Sequence, residues 1–236
     1  LKTLSCCEYN RGLARQHNME TQPSTAMRDY LAEIYRLQED SPTVSTTSLA
    51  ERLNVTAPAV PRMLKRLKSA GYVKHVPYQG VELTDLGREE ALRELRRHRI
   101  LEVFLVQVME FGWQEVHQHA EDMGKGLNDM VVARMAEMTG HPRRCPHGEP
   151  IPDENLDLPQ IEDTCLLNLT VGHKGQISRV RTDESERLAY FSTLGITPGT
   201  TFEIVGRAPF NGPMRLRIGR DEVVLGVELV KSLWVT

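Results

Sequence analysis

Between Arg52 and Val81 the chain contains no aspartate or glutamate, although acidic residues outnumber basic ones in the whole sequence, 32 to 29. A solvated helix surface would normally mix acidic and basic side chains. A basic segment inside a chain of net charge −3 is instead typical of a surface that contacts phosphates. Six lysines and arginines lie in it: Arg52, Arg62, Lys65, Arg66, Lys68 and Lys74.

The patterns around this segment follow the order of a winged helix-turn-helix. Apolar residues of 27–39 share one helical stripe. SLAERLNV predicts a short helix capped by Thr46 or Thr47, and APAVPRMLKRLKSAG predicts another, capped by Thr56 and closed by Gly71. The strands YVKHV and VEL, joined by PYQG, predict a hairpin. The basic third helix would enter a DNA major groove, although three helices and a hairpin could also form a generic small domain.

The middle of the chain is predicted to be helical. Thr84 caps a long charged helix that runs to about Phe111, with Asp85 in its first turn, where an acid suits the helix dipole. A second helix extends from Trp113 to about Met123, and LNDMVVARMAEM resumes the pattern after two glycines. An apolar face left over by these helices could be buried in a dimer contact.

The last third of the chain changes character. Residues 139–162 are rich in proline and turn-forming residues, which predicts a linker. From Thr164 onward, short β-like runs separated by glycine and proline turns predict a small all-β barrel. These runs are LLNLTV, GQISRV, TFEIVG, MRLRIG, VVLGV and SLWVT.

Residues 1–23 are expected to be a disordered leader, with Met19 as the natural start, because they lack hydrophobic periodicity and the apolar core of a secretory signal. Beyond the leader only Cys145 and Cys165 remain, too few for a disulfide framework and compatible with a reducing cytosol. No apolar run reaches the roughly 18 residues of a membrane span. We therefore expect a cytoplasmic protein without a membrane partner.

Two histidine–glutamate pairs at a spacing of four residues are candidate metal ligands: His98 with Glu102, and His117 with Glu121. Each pair projects from one helix face, and neighbouring helices could direct both towards one ion. Imidazole and carboxylate suit Mn, Fe, Zn or Ni. A single pair of this kind is usually only a surface ion pair, so the prediction depends on there being two.

Cys145 and His147 form a third candidate, because a thiol and an imidazole two residues apart in a stiff loop can face one ion. An incidental turn is the alternative. The sequence has no HExxH, phosphate-binding glycine loop or serine nucleophile elbow. His117 and His119 would point about 200° apart on a helix, which also disfavours a metal-dependent hydrolase. We expect no enzyme and no small-molecule substrate.

Several of these segments resemble the diphtheria toxin repressor and manganese transport regulator family: MRDYLAEIY, RRHRILEVFL, the VHQHAED helix, CPHGEPIP, and a tail with GHKGQISRV and LGITPGT. The tail resembles the family's FeoA or SH3-like domain. The resemblance covers about residues 24–236 and implies an α+β fold. Its parts are the leader (1–23), a winged helix DNA-binding domain (24–87), a helical dimerisation and metal-binding domain (88–140), a linker with a possible metal-binding loop (141–163) and an SH3-like β-barrel (164–236).

The resemblance also implies ligand sets. The family's ancillary metal site falls on His98, Glu102 and His117, and a tail acid would complete it, Glu184 or alternatively Asp183. The Cys–Pro–His loop is a further possible donor to this site.

The family's other site falls on Asp29 and Glu121, but Gly124 and Lys125 stand where the family has Glu and His. We hypothesise that the Lys125 ammonium replaces one ion there. A substitute ligand, Asp122 or His119, is the competing interpretation.

The resemblance further assigns the DNA contacts. Pro61 would distort the recognition helix, and its apolar surface would suit thymine methyl groups. Arg62 could reach guanine or phosphate, while Lys65 and Arg66 hold phosphates. The base-reading positions are Thr56, Ala57, Pro58, Ala59, Pro61 and Arg62.

The function implied is a metal-dependent repressor that binds palindromic operator DNA as a homodimer and controls metal homeostasis genes. Asp29 favours Mn²⁺ because the iron sensors carry Met at that position; Fe²⁺ is the alternative, and Cys145 would also suit Zn²⁺. Other interpretations are an iron-responsive regulator of the same family and a winged-helix regulator that senses a non-metal ligand.

Overall fold

The computed structural model describes residues 23–76 and 79–236. They form two compact units, one ending at Glu94 and one running from Leu95 to Thr236. The leader predicted at 1–23 lies outside the described residues except for Pro23. None of the described helices combines the length and the apolar character that a membrane span requires.

The first unit contains three helices followed by an antiparallel hairpin, which confirms the predicted winged helix-turn-helix. Val73 pairs with Leu83 at one end of the hairpin, and Val76 pairs with Gly80 at the other. The elements are α1 (Thr25–Gln38), α2 (Thr46–Arg52), α3 (Ala59–Ser69), β1 (Val73–Val76) and β2 (Gly80–Leu83).

The predicted cap of α2 was wrong by one residue. Ser45 occupies the cap position, and its hydroxyl accepts a hydrogen bond from the backbone N–H of Ser48 at 3.0 Å. Thr46 and Thr47 already belong to the helix. Three consecutive hydroxyl residues offer the same capping chemistry, so the sequence alone does not distinguish between them.

The predicted cap of α3 was also wrong. Pro58 stands at the cap position without a side-chain hydrogen bond, and Thr56 contributes its backbone carbonyl, which accepts from Ala59 N–H at 2.9 Å. Because the helix begins at Ala59, Pro61 lies in the first turn. N–H groups of a first turn have no partner within the helix, so Pro61 leaves α3 continuous to Ser69.

The second unit is built around a long helix, which itself begins in the first unit. Thr84 caps this helix as predicted, its hydroxyl accepting from Gly87 N–H at 3.1 Å. The helix ends at Gln107, earlier than predicted, and the next begins at Val116 rather than Trp113. These helices are α4 (Asp85–Gln107), α5 (Val116–Gly124) and α6 (Asp129–Met138).

Two apolar faces of α4 pack on different neighbours. Leu101 and Leu105 form one cluster with residues of α5, and Ile100 and Val103 form another with residues of α6. Cys145 and Ile151 complete the second cluster. The region between α6 and the tail contains no helix or strand. Cys145, His147 and residues 150–152 are buried against the second unit's core, whereas residues 153–162 are exposed or half-buried.

The tail forms a six-stranded antiparallel sheet in the order β3-β8-β4-β5-β6-β7. The prediction of an all-β tail was wrong in detail, because LLNLTV forms a 3₁₀ turn (Leu166–Asn168) and two short helices interrupt the strands. The elements are β3 (Thr164–Cys165), β4 (Lys174–Val180), α7 (Ser185–Thr193), β5 (Thr201–Arg207), β6 (Met214–Ile218), β7 (Asp221–Leu225), α8 (Val227–Lys231) and β8 (Leu233–Val235).

Candidate functional site

Three of the predicted metal ligands converge. His98 and Glu102 lie one turn apart on α4, and His117 lies on α5. His98 Nε2 is 3.0 Å from Glu102 Oε1 and 3.1 Å from His117 Nδ1, and His117 Nδ1 is 3.1 Å from Glu102 Oε1. The packing of Val116 and Ala120 against α4 brings the two helices together at this point.

The three atoms lie at hydrogen-bond distances from one another, close enough for one divalent cation to contact all three. Glu102, which is 2% exposed, supplies the negative charge, and the imidazoles supply two nitrogen donors. His98, Glu102 and His117 could therefore hold a divalent cation.

A second triad shares the same carboxylate. His147 Nδ1 lies 3.5 Å from Glu102 Oε1 and 3.8 Å from Cys145 Sγ, and all three side chains are buried. The ligand atoms of Glu102, Cys145 and His147 lie within 4.8 Å of one another. The loop therefore supports the metal-donor interpretation over the incidental turn, and Glu102 is common to both groups.

The electrostatics of the centre keep Glu102 ionised. Burial alone would raise its pKa, but His98 and hydrogen bonds from His117 and His147 outweigh burial and hold it well below 4.5. Burial would lower the pKa of His147, yet hydrogen bonds to Cys145 and Glu102 raise it to about 11. Burial raises the pKa of the Cys145 thiol. Without an ion, protons therefore occupy His147 and Cys145 while Glu102 stays ionised.

Two other predicted ligands of this unit lie outside both triads. Glu121 is exposed on α5. Glu184 precedes α7 and forms an ion pair with Arg187 at 2.7 Å, with its side chain 56% exposed. The resemblance placed Glu184 at the ancillary site, but this geometry directs it towards an arginine. Asp29 lies half-buried on α1 in the first unit.

Lys125, which was expected to compensate Asp29 and Glu121, lies 3.5 Å from Asp122 at the exposed end of α5. The ring of His119 packs against Phe111 with centroids 4.8 Å apart. Neither proposed substitute ligand, Asp122 or His119, belongs to a donor group among the described residues.

The basic surface of the first unit lies on α3. Val60, Leu64 and Leu67 form the buried stripe of this helix. The opposite side carries exposed cations that form no ion pair within the described residues: Arg62, Lys65, Arg66 and Lys68. Of the remaining predicted contacts, Ala59 is half-buried and Thr56, Ala57, Pro58 and Pro61 are exposed. The predicted DNA-contacting residues therefore lie on the accessible side of α3 and its N-terminal approach.

Comparison with known families identifies three consecutive regions. Residues 23–81 match the N-terminal DNA-binding domain of iron-dependent repressors, and residues 84–153 match their metal-binding and dimerisation domain. Residues 164–236 match the FeoA domain.

Individual proteins show the same similarity. The iron-dependent repressor IdeR of Mycobacterium tuberculosis is 33% identical over 145 residues, covering 60% of this chain and 63% of IdeR, slightly under two thirds of its length. The diphtheria toxin repressor of Corynebacterium efficiens is 29% identical over 187 residues, covering 75% and 81%. A solved manganese-dependent transcriptional repressor in complex with manganese is 34% identical with a TM-score of 0.83, covering 89% of this chain and 99% of that one. This chain belongs to the diphtheria toxin repressor and manganese transport regulator family.

Proposed function

We propose that this chain is a manganese-responsive transcriptional repressor that binds palindromic operator DNA as a homodimer and controls metal homeostasis genes. The observation that carries the proposal is the shared, buried carboxylate of Glu102, which faces three imidazoles and lies beside a thiol. Such a set of donors within one buried centre suits a divalent cation. The exposed cations of α3 supply the complementary DNA surface.

Manganese is favoured by the family resemblance, because Asp29 stands where the iron sensors carry Met. The imidazole and carboxylate donors of His98, Glu102 and His117 suit Mn²⁺, Fe²⁺ and Zn²⁺ alike. The similar solved structure is named as a manganese-dependent repressor bound to manganese. Relatives named as iron-dependent repressors make Fe²⁺ the principal competitor.

The ion would act by joining elements that lie apart in sequence. His98 and Glu102 of α4, His117 of α5, and Cys145 and His147 of the loop after α6 would hold it. Cys145 and His147 would lose their protons when they bind it. The helix α4 is continuous from Asp85 to Gln107 and so has residues in both units. An ion that fixes the side chain of His98 can therefore influence the spacing of the two DNA-binding domains in a dimer. A useful switch requires the ion to favour the DNA-competent state by several kcal/mol.

Exposed apolar side chains on α5 and α6 support a homodimer. Single apolar residues at a surface are ordinary, but several on neighbouring helices mark an interaction surface. The exposed residues are Met123, Met130, Val131 and Met138.

The test is selection of binding sites from random double-stranded DNA in the presence of Mn²⁺. Affinity for the selected duplex is then measured with Mn²⁺, Fe²⁺, Zn²⁺ or EDTA at one fixed salt concentration. We expect a two-fold symmetric site, strongest binding with Mn²⁺, and loss of the metal response in Glu102→Gln. Glu137→Gln, on the exposed side of α6, is the matched control. Equal binding with Mn²⁺ and EDTA would overturn the proposal.

A further inference from the structure

The loop that carries Cys145 and His147 is a tight turn. Gly148 N–H donates to the Cys145 carbonyl at 2.9 Å, and Cys145 N–H donates to the Glu149 carbonyl at 2.9 Å. Gly148 adopts a φ of +86°, which side-chain-bearing residues rarely adopt. The two donors and the carboxylate of Glu149 therefore belong to one compact backbone unit.

Glu149 lies among three arginines. Its carboxylate is 3.6 Å from Arg99, 3.3 Å from Arg179 and 3.7 Å from Arg181, and its side chain is 14% exposed. Arg99 directly follows His98 on α4. Arg179 lies on β4, and Arg181 lies immediately after that strand. One carboxylate thus connects the helix bearing two donors, the loop bearing two more, and the tail sheet.

The tail arginines are held in place independently of Glu149. Arg179 donates two hydrogen bonds to Asp163, at 2.8 and 2.9 Å. The guanidinium groups of Arg179 and Arg181 lie 4.8 and 5.2 Å from the ring centroid of Trp234. These contacts restrict both arginine side chains without any contribution from Glu149. The tail therefore presents two oriented guanidinium groups that can bind the carboxylate of the loop.

The backbone of the loop also lies directly against β4. Val180 N–H donates to the His147 carbonyl at 2.9 Å. A Cβ atom on Gly148 would lie 2.1 Å from the Ser178 carbonyl oxygen. The backbone of the loop that carries Cys145 and His147 is consequently in direct contact with β4. A movement of β4 would therefore also move His147.

We propose that Glu149 is a positioning residue of the metal centre. By binding the three arginines it holds Cys145 and His147 towards Glu102, so that the tail sheet sets the affinity of the thiolate-containing triad. The inference rests on the proposed metal-dependent function. Groups that orient metal ligands typically change metal affinity by about 10- to 100-fold when they are removed.

The experiment is a Co²⁺ titration of the full chain that monitors the thiolate-to-cobalt charge-transfer band, which Cys145→Ser identifies. We expect Glu149→Gln to weaken the Co²⁺ affinity reported by this band about 10- to 100-fold. Glu203→Gln, which removes a carboxylate beside Arg217 elsewhere in the tail, should leave it unchanged. A purely structural brace would lower the melting temperature of the metal-free protein without changing the band.

A second variant keeps the test decisive if Glu149→Gln fails to fold. Arg181→Gln removes one of the three cations and should weaken the same affinity several-fold, whereas Arg217→Gln should not. Unchanged affinity in folded Glu149→Gln or Arg181→Gln would overturn the positioning role. A wild-type protein that binds no Co²⁺ would instead overturn the proposed metal function, and this inference with it.

Discussion

The Nε2 atom of His147 lies 2.8 Å from the backbone carbonyl oxygen of Trp113. A carbonyl can only accept, so this contact fixes the proton on Nε2 and directs Nδ1 towards Cys145 and Glu102. Hydrogen bonding of the outer imidazole nitrogen to a carbonyl is the usual way in which proteins orient a metal-binding histidine. The arrangement has a measurable consequence for metal binding.

We expect each ion bound at this triad to release about two protons near neutral pH. The pKa of His147 is raised to about 11 and that of the Cys145 thiol is also raised, so both donors are protonated before the ion binds. Metal affinity should therefore increase as pH rises from about 6 to 8. Calorimetric titration with Mn²⁺ in buffers of different ionisation enthalpy measures the number of protons.

His147→Gln should release about one proton fewer per ion, and His75→Gln, at an exposed position of β1, should match the wild type. Metal binding that is independent of pH would contradict the assignment of His147 and Cys145 as donors.

The pair Gly124 and Lys125 makes a second prediction possible. Restoring the family pattern with Gly124→Glu and Lys125→His should raise the stoichiometry by one ion per chain, because two donors would then join Glu121 at the end of α5. A side chain fits at Gly124, where the nearest atom to an added Cβ is 3.9 Å away on Leu101. Native mass spectrometry with Mn²⁺ counts the ions. The alternative pair Gly126→Glu and Asn128→His is the control, and an unchanged count in the restored variant would rule out a latent second site.

Helical spacing predicted His98 and Glu102, but the same spacing paired His117 with Glu121, which lies outside both triads. His98 and Glu102 were recognisable because residues four apart share a helix face. The resemblance named the Cys–Pro–His loop as a further possible donor to this site, but that His147 faces Glu102 depends on how the loop packs against α4, for which spacing carries no signal. Glu184 was assigned by resemblance alone, and its pairing with Arg187 became visible only in the fold.

The same distinction holds for the elements. Strong periodicity predicted α1. In the tail, SERLAYFST contributes only Leu188 and Phe191 to the core from nine residues, and neighbouring β-like runs concealed its helical character. Where a short helix lies between strands, the propensity of its own residues is a weak signal, and packing in the folded protein decides its secondary structure.

Glu33 is expected to limit the stability of the first unit in acid. It is 7% exposed on α1 and pairs with Arg36 and with Arg52, the latter at 3.1 Å. Burial would raise its pKa, but the two arginines outweigh burial and lower the pKa below 4.5. The ion pairs therefore contribute fully above the unfolded-state pKa, and their contribution is lost as pH falls through the lower folded-state value.

Glu33→Gln should destabilise the protein by about 1–3 kcal/mol near neutral pH, because it removes the charged acceptor that Arg36 and Arg52 bind, and should flatten the acid limb of the stability profile. Urea unfolding monitored by circular dichroism between about pH 6 and 3 measures both effects. Glu51→Gln, on the exposed side of α2, controls for the loss of one carboxylate. An equally steep acid limb in Glu33→Gln would assign the acid sensitivity to another group.

Lys65 and Arg62 should affect DNA binding in different ways, although both are exposed on α3. A lysine that holds a phosphate adds affinity without reading sequence, so Lys65→Ala should weaken binding to all duplexes alike and reduce the salt slope by about one. An arginine that reads guanine adds discrimination, so Arg62→Ala should cost about 1–3 kcal/mol on the selected site and relax preference at one base pair.

Fluorescence anisotropy across a salt series, with single-base variants of the duplex, separates the two effects. Lys231→Ala, in the tail beside Glu228, is the charge-matched control. If Arg62→Ala instead weakens every duplex equally, Arg62 contacts phosphate, and the sequence must be read by the apolar residues at the start of α3.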